Sequence, residues 1–216
     1  MPLVDYDRNI LMTNDPRLKK AVLVNDFSEY GVKMFKIDFD ELNGSSLPII
    51  PIIIDSYGGE IYSLLAMIDI ISTATKPVAT IALGKAMSCG SILLACGSPG
   101  FRFVGGHSTV MVHDAATVSF GKIEELKADV GEAERLNIKI FNLLNEKCAK
   151  PKGYFQKIVA EKKHVNWFLE PKEVVKHGLA DHIGIPVIDS LFNLELVKND
   201  KVVLRKKQRA APKSGK

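Results

Sequence analysis

An apolar run, Val78-Ala79-Thr80-Ile81-Ala82-Leu83, ends in a turn of small residues, Gly84-Lys85-Ala86-Met87-Ser88-Cys89-Gly90. A second apolar run, Ile92-Leu93-Leu94-Ala95-Cys96, follows at once. The first run reads as a buried strand and the second as a helix that opens just after the serine. About thirty residues earlier the same pattern occurs. Ile49-Ile50-Pro51-Ile52-Ile53-Ile54 reads as a buried strand with Pro51 near its start, and Asp55-Ser56-Tyr57-Gly58-Gly59 breaks it. Residues 61–75 then carry apolar side chains at helical spacing through Ile61, Leu64, Leu65, Ile68 and Ile71. Strands alternating with helices predict an α/β layered domain. In such folds, sites gather where strands end and helices begin.

The remaining segments fit that expectation. Lys20 to Val24 is strand-like, and Asn25 to Ser28 suits a helix start or a turn. Val32 to Phe39 alternates apolar and polar residues, yet is also compatible with a helix. Asn43-Gly44-Ser45-Ser46 is a turn cluster. Thr109 to His113 is a further strand with His113 at its end, whereas Ala115 to Phe120 has no clear period. From Gly121 to about Ala149 a long helix is expected. Its stripe of Ile123, Leu126, Val130, Ala133, Ile140 and Leu144 reads as a packing seam, against the body or another subunit. Shorter helices are expected over 154–163 and 171–177, the latter capped by Gly178, with a final strand over 183–188. This gives an N-terminal arm over 1–18, one domain over 19–190 and a C-terminal tail over 191–216.

Composition excludes several classes. With 46% apolar residues the chain is not generally disordered, and no apolar run nears the roughly 18 residues that span a membrane. The start, Met1 to Arg8, lacks the basic-then-apolar order of a signal peptide, so a cytoplasmic protein is expected. Cys89, Cys96 and Cys148 are odd in number and include no CxxC pair, which favours reduced thiols over disulfides or a structural zinc site. Residues 198–216 hold eight Lys or Arg against Asp200, a net of +7; the overall +4 therefore leaves −3 for the rest. The body is not a nucleic-acid surface, and the tail reads as a solvated terminus.

Three features fall at strand ends: Gly58-Gly59, Ser88 and His113. A serine at a strand-to-helix turn has its hydroxyl pushed outward beside helix amides that lack internal partners. A histidine suits the general base that such a nucleophile needs, and the Gly58 amide can approach a substrate closely because glycine has no Cβ. Together these groups suit acyl transfer through an oxyanion. Each alone has a plainer reading: a turn built for close packing, a glycine turn or phosphate loop, a hydrogen-bonded structural histidine. The GxGxxG and GxxxxGK[ST] spacings are absent, and His107, His164 and His177 show no metal spacing, so no cofactor or metal is expected.

Taken in order, these segments resemble the proteolytic subunit of the Clp protease family. Asp55 to Gly59 is similar to that family's N-S-P-G-G turn. Gly84 to Gly90, continuing through Leu93-Leu94-Ala95-Cys96-Gly97 to Gly100-Phe101-Arg102-Phe103, resembles its G-x-A-x-S-x-G…LLAAG…GxRF segment. Val110-Met111-Val112-His113 resembles its V-M-I-H. The similarity runs over about residues 50–186. It implies a serine endopeptidase acting on unfolded polypeptides, with a ClpP/crotonase-like α/β fold of repeated β-β-α layers and a protruding long helix. Ser88 would be the nucleophile, His113 the general base, and the amides of Gly58 and Cys89 the oxyanion hole. It further implies a homo-oligomer, a heptameric ring or double ring, fed by an AAA+ unfoldase that consumes ATP.

The sequence departs from the family pattern at several positions. Asn166, just ahead of Phe168-Leu169 and Gly178-Leu179-Ala180-Asp181, stands where the family has the third catalytic residue, an aspartate. An asparagine can hold an imidazole but cannot offset its positive charge. In a serine protease whose triad aspartate was replaced by asparagine, turnover falls by about 10⁴. Asp114 directly follows His113, but adjacent strand residues face opposite ways. Asp181 matches a structural position of the family. Tyr57 replaces the proline of N-S-P-G-G, Ala115 falls near the family's proline after the base, and Val165 replaces an arginine that pairs two rings. The usual N-terminal pore arm is not evident. The chain resembles a divergent member suited to a phage genome. The alternatives are a weakened subunit of a mixed ring, a phage head-maturation protease, and acyl-CoA chemistry on the related fold.

Overall fold

The computed structural model describes residues 21–188 and the backbone of Leu194–Val197. The expected arm over 1–18, and most of the expected tail over 191–216, lie outside the described residues.

The centre of the molecule is a mostly parallel sheet. Strands β1 (Val22–Val24), β2 (Ile50–Ser56), β3 (Val78–Met87) and β4 (Arg102–Val104) lie side by side, all parallel, with β7 (His182–Ile183) on the far edge. Helices α1 (Glu29–Gly44), α2 (Ile61–Ser72) and α3 (Cys89–Ala95) connect the early strands. Such crossovers bury both faces of a parallel sheet, hence the unbroken isoleucine run of β2. Ile50, Ile52 and Ile54 face the main core with Phe35, Phe39, Leu64 and Met67. Ile53 faces a smaller cluster with Ile81 and Phe103 on the opposite side. Each such isoleucine, fully buried, stabilises the fold by about 1.5–3 kcal/mol.

Strand β3 serves two neighbours in succession. Its first half, Thr80–Ala82, pairs with Arg102–Val104; its last residues, Lys85–Met87, pair in parallel with β5 (Thr109–Val112). The change of partner falls at Gly84, which has φ +79° and whose N–H donates to Ser108 Oγ at 3.0 Å. Strand β5 also pairs antiparallel with β6 (Trp167–Leu169), matching Val110 with Leu169 and Val112 with Trp167. This division carries the ends of β3 and β5 away from β4 and places Ser88 and His113 next to each other.

Two expectations become more definite. The segment 32–39 is helical, within α1, because Phe35, Phe39 and Leu42 recur at helical spacing and are buried, and Ser28 caps the helix by accepting from the Gly31 N–H at 3.0 Å. The apolar stripe of helix α4 (Ile123–Lys147) packs only in its second half. Leu136, Ile140 and Leu144 are buried, whereas Ile123 is 71% and Val130 52% exposed. Strand β6 had no signal in the sequence, since three residues are too few to show a period.

Helix α5 (Tyr154–Glu161) and helix α6 (Pro171–His177) complete the body, the latter ending at Gly178 in the left-handed conformation as the sequence leads one to expect. A hairpin of β8 (Ile185–Ile188) and β9 (Leu194–Val197) follows β7. Arg102 ties these late elements to the sheet. Its Nη2 lies 2.6 Å from Asp181 Oδ1, its Nε donates to Asp181 Oδ2, and its Nη1 donates to the carbonyls of Lys147 and Gly178.

Candidate active site

Ser88 joins β3 to α3 with φ 54° and ψ −120°, an unusual conformation for a residue with a side chain. Such strain persists only where the surroundings impose it, and it is most often found at functional positions. Here the Ser88 N–H donates to the Met111 carbonyl of β5 at 2.9 Å, while its own carbonyl accepts from the Ser91 N–H and from Ser91 Oγ at 2.7 Å. The backbone is thus held from both sides and the hydroxyl is turned out.

His113 follows β5 directly, and its Nε2 lies 2.8 Å from Ser88 Oγ. Burial lowers the pKa of His113 from its ordinary value, opposed by the negative charge of Asp114. A lowered value keeps the ring neutral at physiological pH and free to accept the hydroxyl proton.

Gly58, at φ +104°, is packed against the serine: a Cβ there would fall 2.7 Å from Ser88 Cβ and 3.2 Å from Ser88 Oγ. Its N–H donates to Ser56 Oγ at 3.0 Å. The Cys89 amide is the first of helix α3 and so has no acceptor within that helix. The Cys89 thiol donates to the Gly59 carbonyl at 3.2 Å, and burial pushes its pKa up to about 11, so it stays a neutral thiol. Ser88, His113, Gly58 and Cys89, singled out from the sequence, therefore converge.

Asn166 is placed differently. Continuing the β5–β6 register by one pair puts Asn166 opposite His113, but its side chain is exposed and makes no hydrogen bond among the described residues. Asp114 makes no hydrogen bond to the His113 ring, though both line the same cavity. Its Oδ2 meets His164 Nδ1 at 2.7 Å and its Oδ1 accepts from Asn137 Nδ2 at 2.9 Å. Asn137 and His164 carry no sequence signal, because they lie 23 and 50 residues from Asp114 and only folding joins them. Asp181 is engaged by Arg102 and does not line the cavity beside Ser88 and His113.

Beside Ser88 and His113 opens a cavity of about 110 Å³, walled by Ile92, Val112, Ile140, Phe141 and Leu144. Sites for whole small molecules run to roughly 300–1,000 Å³. This one suits a single apolar side chain.

Comparison with known proteins bears on the same segments. Residues 41–186 match the family model described as Clp protease. A curated protein of Deinococcus radiodurans, described as an ATP-dependent Clp protease proteolytic subunit, is 30% identical over 126 residues, covering 58% of this chain and 60% of that protein. The alignment thus spans about three fifths of the relative's length. Among the described residues no helix is long and apolar enough to cross a membrane.

Proposed function

The chain belongs to the Clp protease family, and on that premise we propose that it is a serine endopeptidase whose nucleophile is Ser88 and whose general base is His113. The observation that carries this reading is the 2.8 Å contact between Ser88 Oγ and His113 Nε2 at the mouth of an apolar cavity. His113 takes the hydroxyl proton as Oγ attacks a peptide carbonyl, then returns it to the leaving amine. The Cys89 amide and the Gly58 amide stabilise the oxyanion, Gly58 by exchanging its bond to Ser56 Oγ for one to the substrate. The cavity receives the side chain on the acyl side of the scissile bond and favours an apolar residue there. The substrate is an unfolded polypeptide laid in extended form beside Gly58-Gly59.

The resemblance also supports a cytoplasmic homo-oligomeric ring, supplied by an AAA+ unfoldase. The exposed apolar residues Ile123 and Val130 on the first half of α4 are consistent with a subunit interface. Labelling with a fluorophosphonate, together with hydrolysis of fluorogenic peptides carrying an apolar residue before the cleaved bond, tests the proposal. Label on the wild type and none on Ser88→Ala is the expected result; an unlabelled, inactive wild type refutes it.

One observation favours a second reading, a weakly active subunit within a mixed ring. Asn166 makes no hydrogen bond to His113 and carries no charge. Asn166→Asp is expected to raise peptide hydrolysis, by up to the roughly 10⁴ that the triad carboxylate is worth elsewhere. A fall in rate with a folded protein removes position 166 from the mechanism.

A further inference from the structure

Beside the candidate active site lies a polar cluster that the proposed reaction does not use. Asp114 follows the last residue of the Ser88–His113 pair. Its carboxylate is gripped on both oxygens, by His164 from the loop between α5 and β6 and by Asn137 from α4. Asn137 Oδ1 in turn accepts the Ala115 N–H at 2.8 Å, so one asparagine fixes both the acid and the backbone that carries it. Lys163 and His164 both have φ 59°, a left-handed conformation that costs roughly 1–2 kcal/mol per residue. The fold therefore accepts backbone strain at the point where His164 reaches Asp114. Two residues further on, Asn166 occupies the register position opposite His113.

We propose that Asp114 is a positioning residue for His113: Asn137 and His164 fix its carboxylate in the wall of the cavity that His113 also lines, where it supplies the negative charge that asparagine at 166 does not carry. The inference rests on the reading of His113 as general base. An imidazolium forms during attack, and a fixed carboxylate nearby lowers the cost of that charge without touching the ring. The surroundings leave Asp114 in that role. From the β3–α3 turn comes Ser88 and from α3 the neutral thiol of Cys89; from α4 comes Asn137, which is uncharged; from the residue before β6 comes Asn166. Lys162 lies over the Trp167 ring, 5.5 Å from its centroid. His164 and Asn137 together hold the carboxylate in place. The electrostatics agree, since Asp114 is the group that opposes the lowering of His113 by burial.

The test reads the titration of His113 directly, in the full chain with ring-labelled histidine, by NMR, with the resonance assigned through its loss in His113→Gln. It requires no turnover. Asp114→Asn keeps the shape and removes the charge, and is expected to lower the proton affinity of His113 about threefold, the size of a part-exposed charge coupling. Asp114→Glu restores the charge and is expected to restore the midpoint. Asn137→Ala frees the carboxylate from α4 and should shift the midpoint the same way by less, and it decides the matter if Asp114→Asn does not fold. A midpoint unmoved by the loss of charge, or moved equally by Asn and Glu, overturns the proposal. Fluorophosphonate labelling of Ser88, run in parallel, reports separately on the peptidase reading.

Discussion

Replacing Gly58 with alanine asks how tightly the serine turn is built. The new Cβ would lie 2.7 Å from Ser88 Cβ, 3.0 Å from the Met87 carbonyl oxygen and 3.2 Å from Ser88 Oγ. Two of the three neighbours are the backbone oxygen of β3 and the Cβ of the proposed nucleophile, so no flexible side-chain tip can yield. Gly58 also sits at φ +104°, where an alanine is strained regardless of space. A left-handed backbone alone costs roughly 1–2 kcal/mol. Relief of the overlap requires Ser88 to move by several tenths of an ångström, and a misplacement of about 1 Å at a reacting centre lowers rate by about 10². The expected result is a Ser88 labelling rate reduced by one to two orders of magnitude in a protein that still folds with a lower melting temperature. Gly44→Ala is the control. It ends helix α1 with nothing within 4 Å of its Cβ, and should leave labelling unchanged. A Gly58→Ala protein that labels at the wild-type rate would refute the account, because Ser88 could not then be held against Gly58.

Two further outcomes follow from charge. His113 must be neutral to act as base, and burial lowers its pKa; the labelling rate should therefore hold as pH falls past the ordinary histidine value of about 6.5 and decline only below it. A midpoint at or above that value refutes the burial of the ring. Arg102→Ala removes the guanidinium from Asp181 and leaves the carbonyls of Lys147 and Gly178 without that donor, while the backbone N–H groups of residues 100 and 102 still reach Asp181. It should destabilise the protein by about 3–5 kcal/mol in chemical denaturation. Burial pushes the Asp181 carboxyl up, but Arg102 and two backbone N–H groups outweigh this and hold it below its usual value. The stability it contributes is fully present above the unfolded pKa of about 3.9 and is lost as pH falls through the lower folded value. The variant should show a smaller acid-dependent loss, since only the two backbone N–H groups remain, and a denaturation midpoint matching wild type at neutral pH would sink the assignment.

What the sequence made legible was set by how local each cause is. Ser88, Gly58 and the end of β5 could be read because each is announced by its own neighbours: an apolar strand, then a small-residue break, then helical spacing. Helix α1 was ambiguous because apolar residues at 32, 34, 35, 37 and 39 satisfy both a period of two and a period near 3.6; burial of Phe35, Phe39 and Leu42 decides between them. Helix α4 is the converse case. Its stripe is continuous in sequence, but the body is only long enough to cover the part from Leu136 onward, and the sequence holds no record of where the body ends. The least legible part is the environment of His113. Which groups surround the imidazole depends on β3 changing partners at Gly84, on a three-residue strand bringing Asn166 opposite the base, and on α4 delivering Asn137 to Asp114. Each of these is a long-range consequence of the sheet. Residue 166 could be flagged from a family resemblance, whereas Asp114, set aside in the sequence because it directly follows the base, shows its Asn137 and His164 partners only in the folded chain. If a carboxylate is needed near this histidine, the fold offers one at a position that the family pattern does not mark.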